Sequence, residues 1–121
     1  MAAVQVQQLT HTYLHQNQQL QLRNVTADAE FWQKLSSGEL PELEQGRLMS
    51  AFYFDSDWLM WERHPAGPEL VMLLSGVTEL LLQPADAQPQ DEATQRLLLR
   101  HAGDYVLIPA GVWHRACPLE P

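Results

Sequence analysis

Three things are scarce in this chain of 121 residues, and each scarcity narrows what the protein can do. There is one cysteine, Cys117, so no intramolecular disulfide can form; a reducing, cytoplasmic setting and a fold held by packing are expected. Bases are outnumbered, 7 against 15 acids for a net charge of -8, and Lys34 is the single lysine. The arginines stand alone along the chain, whereas phosphate binding needs them clustered, so no nucleic-acid partner is expected. No apolar run approaches the roughly 20 residues of a membrane span. The start, Met1-Ala2-Ala3-Val4-Gln5, has no basic segment followed by an apolar stretch, so neither a membrane partner nor a secretory signal is expected. Repeats and linkers are missing as well, which at this length leaves a single domain over residues 1–121.

What is present changes in texture along the chain. Residues 1–22 are rich in glutamine and poor in periodic apolar content, which suggests an arm or edge strand. Thr26 can cap a short helix through Phe31, Trp32 and Leu35, with acids in its first turn and Gly38 just past its end. From Gly46 onward short apolar or alternating runs are separated by Gly, Pro and Asp, the pattern of an all-β domain. Strands are expected near residues 47–54, 58–64, 70–74, 78–83, 95–100, 105–108 and 113–117. Pro65-Ala66-Gly67-Pro68 is a turn, and residues 84–93 form a polar hairpin loop. Residues 1–45 are then arm and helix, and residues 46–121 the β-barrel core.

Two stretches carry the chemistry. In an extended strand alternate side chains share a face, so Glu62 and His64 point one way and Trp61 and Arg63 the other. Beyond the turn, Glu69 opens the next strand close to His64, with Val71 and Leu73 on the same inner face. His114 follows the turn Pro109-Ala110-Gly111, which can bring its imidazole back over that hairpin.

These positions resemble the cupin superfamily. Its first motif, Gly, five residues, His-x-His, three or four residues, Glu, six residues, Gly, falls on Ser56, Glu62, His64, Glu69 and Gly76. Its second, Gly, five residues, Pro-x-Gly, two residues, His, three residues, Asn, falls on Gly103, Pro109, Gly111, His114 and Pro118. Ser56, Glu62 and Pro118 depart from the pattern, and Glu62 stands where the family presents its first metal-binding histidine. The resemblance covers the second half of the chain and implies a double-stranded β-helix, or jelly-roll cupin barrel, with a short N-terminal helix. It further implies a divalent metal ion held by Glu62, His64, Glu69 and His114, a small-molecule ligand or substrate, and a homodimer that hides open sheet edges. Only seven residues follow His114, so the N-terminal arm or a partner subunit is expected to supply a further strand.

Two imidazoles and two carboxylates make a hard shell suited to iron(II), manganese(II), zinc or nickel rather than copper(I). Without Glu62, the remaining His64, Glu69 and His114 form the two-histidine, one-carboxylate set found at non-haem iron. Two functions stay open: a metal-dependent enzyme of the dioxygenase or isomerase class, or a non-enzymatic sensor or binding module in the same barrel. Each residue also has a plainer role available. His64 and His114 can be half-buried histidines bonded to neighbours, and Glu69 can pair with Arg63 or Arg115. Trp58, Met60, Trp113 and Phe52 read as core that could also line a pocket. His101 reads as exposed, Cys117 as opposite in phase to His114, and His11 with His15 have the spacing of a helical metal pair in a context that gives no firm helix.

Overall fold

Burial alternates through Thr12–Gln16, which form strand β1 (TYLHQ) with Tyr13 and His15 buried and their neighbours more open. The computed structural model describes residues 3–58, 60–87 and 95–120. These fall into two compact units, Met1–Tyr53 and Phe54–Pro121. Among the described residues the protein is mostly β, with eight strands in three sheets and one α-helix.

In the first unit, β1 is flanked by β2 (Leu22–Thr26) and β3 (Arg47–Met49), both antiparallel to it. The glutamine-rich segment expected as an arm or edge thus supplies the central strand, because Tyr13 and His15 put two large rings on one face. Thr26 belongs to β2 and pairs with Thr12, so it caps nothing; the helix α1 spans Phe31–Ser36, with Glu30 before it and no side-chain cap. At its end the Gly38 and Glu39 amides donate back to the Leu35 and Lys34 carbonyls, a Schellman closure. Tyr13, Phe31 and Leu43 form the core, the Tyr13 and Phe31 rings meeting edge to face at 5.0 Å. Trp32 stays half exposed against the Tyr13 ring. The strand expected over residues 47–54 shortens to three residues and pairs with β1 rather than with the later strands. His11 lies exposed in a turn while His15 lies in β1, so the two make no helical pair.

The second unit holds two sheets. One has the order β6-β5-β8, with β5 (Val77–Gln83) between β6 (Gln95–Leu99) and β8 (Trp113–Glu120); the other pairs β4 (Glu69–Met72) with β7 (Tyr105–Ile108). All pairings are antiparallel. Leu80, Leu82 and Ala116 from the first sheet and Ile108 from the second share one core cluster, with Phe54, Trp58, Val71 and Val106 packed against it. Burying such side chains is worth about 1.5 to 3 kcal/mol each. Ala87 closes a turn onto Pro84; the rest of the expected 84–93 loop lies outside the described residues. The strand expected over residues 58–64 reduces to one bridge, Glu62 to His114.

Gly46 leads into β3 at φ +86°, and a Cβ there would run into the Gln16 carbonyl oxygen of β1. Gly46→Ala is expected to cost about 2 to 4 kcal/mol, combining left-handed strain with a backbone collision that cannot relax cheaply. Urea denaturation followed by tryptophan fluorescence checks it, and a loss below about 1 kcal/mol, no more than left-handed strain alone would cost, would contradict the collision.

Candidate metal centre

The Glu62–His114 bridge is made by two backbone hydrogen bonds, Glu62 N–H to the His114 carbonyl at 2.9 Å and His114 N–H to the Glu62 carbonyl at 2.8 Å. Residues directly opposite in an antiparallel pair present their side chains on the same face, so Glu62 and His114 share the inner face. His64 joins them by alternation. Its carbonyl accepts from the Gly111 amide at 3.0 Å, and Gly111, at φ +80°, turns the chain from Pro109 into β8. One ligand atom from each of Glu62, His64 and His114 then lies within 4.8 Å of the others, and this group could hold a metal ion.

Glu69 enters from the opposite sheet at the start of β4. Its Oε2 lies 2.7 Å from His114 Nε2 and 3.5 Å from His64 Nε2. The carboxylate offered Arg63 or Arg115 as partners by the sequence takes the two histidines instead. Of the four residues expected at the site, Glu62, His64 and His114 form the mutually close group, and Glu69 meets its two histidines. His114 is wholly buried, Glu69 partly so, and His64 and Glu62 face solvent, so the cluster is deep at one end and open at the other.

Burial pulls the His114 imidazole towards its neutral form, but the contact with the Glu69 carboxylate and its charge outweigh this. The net direction is upward from the ordinary 6.5, with smaller help from the Val112 carbonyl and Glu62. For Glu69 burial pushes the carboxyl up, and the contact with His114 and the charges of His114 and His64 more than reverse it, leaving it below its ordinary 4.5. His114 Nδ1 faces the Val112 carbonyl at 3.4 Å, which favours the proton on Nδ1 and leaves Nε2 to act as a ligand.

The opposite face of the same strands carries two contacts that are not among those expected from the sequence. Arg63 lies over the Trp113 ring at 4.5 Å and Arg115 over the Trp61 ring at 5.7 Å. Both pairs sit in the register set by the Glu62–His114 bridge, one residue to either side of it. The signal in the sequence was a Trp-x-Arg segment read against a second Trp-x-Arg segment in antiparallel register. Trp113 is thereby outward, Met60 is exposed, and Phe52 belongs to the first unit; of the four bulky residues expected near the site, only Trp58 packs by it, 6.2 Å from the His114 ring. Leu82, opposite His114, and Val112 also line an adjoining pocket of about 270 Å³. His101 is exposed in the turn before β7, where Asp104 accepts the Arg100 and His101 amides.

Two expectations follow. In metal-free protein, the His114 contribution to stability is full below pH 6.5 and lost as pH rises through its elevated value; the Glu69 contribution is full above pH 4.5 and lost as pH falls through its depressed value. The stability difference between wild type and Glu69→Gln should peak between those two pH values and narrow on both sides, and a flat difference would contradict the pairing. Second, Arg63→Gln or Arg115→Gln should loosen the segment that carries Glu62 and His64 and weaken cobalt(II) binding about three- to ten-fold by calorimetry, with the fold intact.

No family model, curated protein or solved structure matches the chain. Function has to be read from the side chains themselves.

Proposed function

We propose that the second unit is a cupin-type jelly roll whose Glu62, His64, Glu69 and His114 bind one divalent metal ion, and that the protein is a metal-dependent enzyme acting on a small molecule. The observation that carries this is the grouping of Glu62, His64 and His114 within 4.8 Å of one another, with Glu69 from the other sheet set against both imidazoles. The chain also crosses between sheets on passing from the Glu62 bridge to β4, from β4 to β5, from β6 to β7 and from β7 to β8, the shuttling of a double-sheet jelly roll.

The donor set fits a cation. His114 Nε2 and Glu69 Oε2 are buried and lie 2.7 Å apart, so both ligand atoms border the same small space. Ligand atoms on one octahedral ion are separated by about 3.0 Å when adjacent and 4.2 Å when opposed, for bonds of about 2.1 Å. The separations of 2.7, 3.5 and up to 4.8 Å bracket those values, so small side-chain adjustments suffice. Two carboxylates favour iron(II), manganese(II), zinc or nickel.

When bound, such an ion supplies a Lewis acid with positions left for a substrate oxygen, which suits dioxygenase or isomerase chemistry. The protein's own residues do the rest. His114 and Glu69 form the rigid inner half, Val112 orients His114, and Trp58 with Phe54, their rings 5.6 Å apart, keeps an apolar wall beside it. Glu62 and His64 form the solvent side by which a small molecule reaches the centre. One observation favours a second reading, a sensor or binding module: Tyr105, the nearest candidate for a separate general base, is in phase with Met72 and points away from Glu69.

Purified protein reconstituted with iron(II), manganese(II), zinc or nickel and dialysed should retain about one ion per chain. His64→Ala, at an exposed position, and His114→Ala should each lower affinity at least about 100-fold. Retention of metal by both variants, or none by the wild type, would refute the site. Turnover of a catechol, β-diketone or thiol panel by the loaded wild type separates enzyme from binding module.

A further inference from the structure

We propose that a second copy of this chain docks on the outer face of the β4–β7 sheet. Glu69, Val71 and Leu73 face the centre and core, so alternation turns Leu70, Met72 and Leu74 the other way. The register pairs Leu70 with Leu107 and Met72 with Tyr105, which brings five large apolar side chains onto one face, each between 45 and 62 % exposed. A sheet with one face on the core ordinarily shows polar residues on the other. Single exposed hydrophobics are commonplace, but a contiguous block of five on a two-stranded sheet is not.

The area suits a dimer. Half-exposed side chains of this size leave on the order of 100 Å² each, so the face presents roughly 500 Å². Two such faces and their rims bury roughly 1,000 to 1,200 Å², the lower end of a specific interface. A two-fold contact needs only a patch that complements itself. This face has no charge and one hydroxyl, that of Tyr105, so it carries little of the electrostatic pattern that selects a foreign partner. Each chain has a net charge of -8, and an uncharged patch is where two such chains can approach. The homodimer expected from the sequence thereby gains a defined face, and the strand it stiffens is the one that carries Glu69 on its reverse.

Sedimentation velocity on metal-free protein from about 1 to 200 µM tests this independently of the metal centre. The wild type should pass from monomer to dimer in that range and dimerise more tightly at high salt, because salt screens repulsion between like-charged copies. Met72→Lys and Leu107→Glu should each raise the dimer dissociation constant at least about 100-fold with unchanged circular dichroism, while Leu119→Glu on β8 should not. Should either face variant fail to fold, Tyr105→Lys replaces it. A wild type that stays monomeric throughout overturns the proposal. So does a dimer that survives the folded face variants, since another surface then makes the contact.

Discussion

One pair of backbone hydrogen bonds, between Glu62 and His114, sets what the second unit can do. The bridge fixes register, and register assigns faces: Glu62, His64 and His114 fall inward together while Trp61, Arg63, Trp113 and Arg115 fall outward together. A slip of one residue would exchange the two sets, burying guanidinium groups against Leu80 and Ile108 and turning the imidazole outward. The desolvation cost of unpaired buried arginines makes that alternative prohibitive. The outward cation-π pairs, each worth about 0.5 to 1 kcal/mol at an exposed position, act in the same direction and brace a segment whose described residues form a bridge rather than a regular ladder.

The inner face pays for its chemistry by internal compensation. Burial alone would discharge His114 and protonate Glu69; placed 2.7 Å apart, each holds the other in its charged form. Metal-free protein thus keeps a neutralised pair where the inner half of the centre would be. A divalent ion binding there has to displace the His114 proton, so affinity falls as the solution becomes more acidic. The same pair that stabilises the empty fold is the one a metal competes against.

Much of this was legible in the sequence. Alternation alone put Glu62 with His64 and Glu69 with Val71, and the Pro109-Ala110-Gly111 turn announced the return of His114. Strands β5 to β8 lie within a few residues of where the apolar runs and turn residues indicated. The first unit was harder. Glutamines on both sides, Gln5 to Gln8 and Gln16 to Gln21, obscured the Tyr13 and His15 face, whose burial depends on partners distant in the chain: Phe31 and Leu43 for Tyr13, and the Gln45 carbonyl for His15. Thr26 has every local property of a helix cap and is taken by β2, because pairing with Thr12 offers the backbone more than a six-residue helix could. Among the described residues the strand expected over 58–64 keeps scattered backbone bonds and one bridge in place of a ladder, and no local propensity records that.

The graded burial of the centre has its own consequence. His114 lies on a strand paired along its length with β5, whereas the segment of Glu62 and His64 is held by scattered backbone bonds, at Trp58, Glu62 and His64, rather than by a regular ladder among the described residues. Local opening costs least where backbone pairing is sparse and surface is exposed. The outer two donors can therefore swing away while the inner two keep their positions. Exchange of an ion or a chelating small molecule would pass through Glu62 and His64 and leave the core intact. On the proposed cupin reading, Glu62, which stands where that family presents a histidine, is also on the exposed side of the cluster. A carboxylate there, free to bind through one oxygen or two, accommodates a change in coordination number better than an imidazole, which offers one nitrogen.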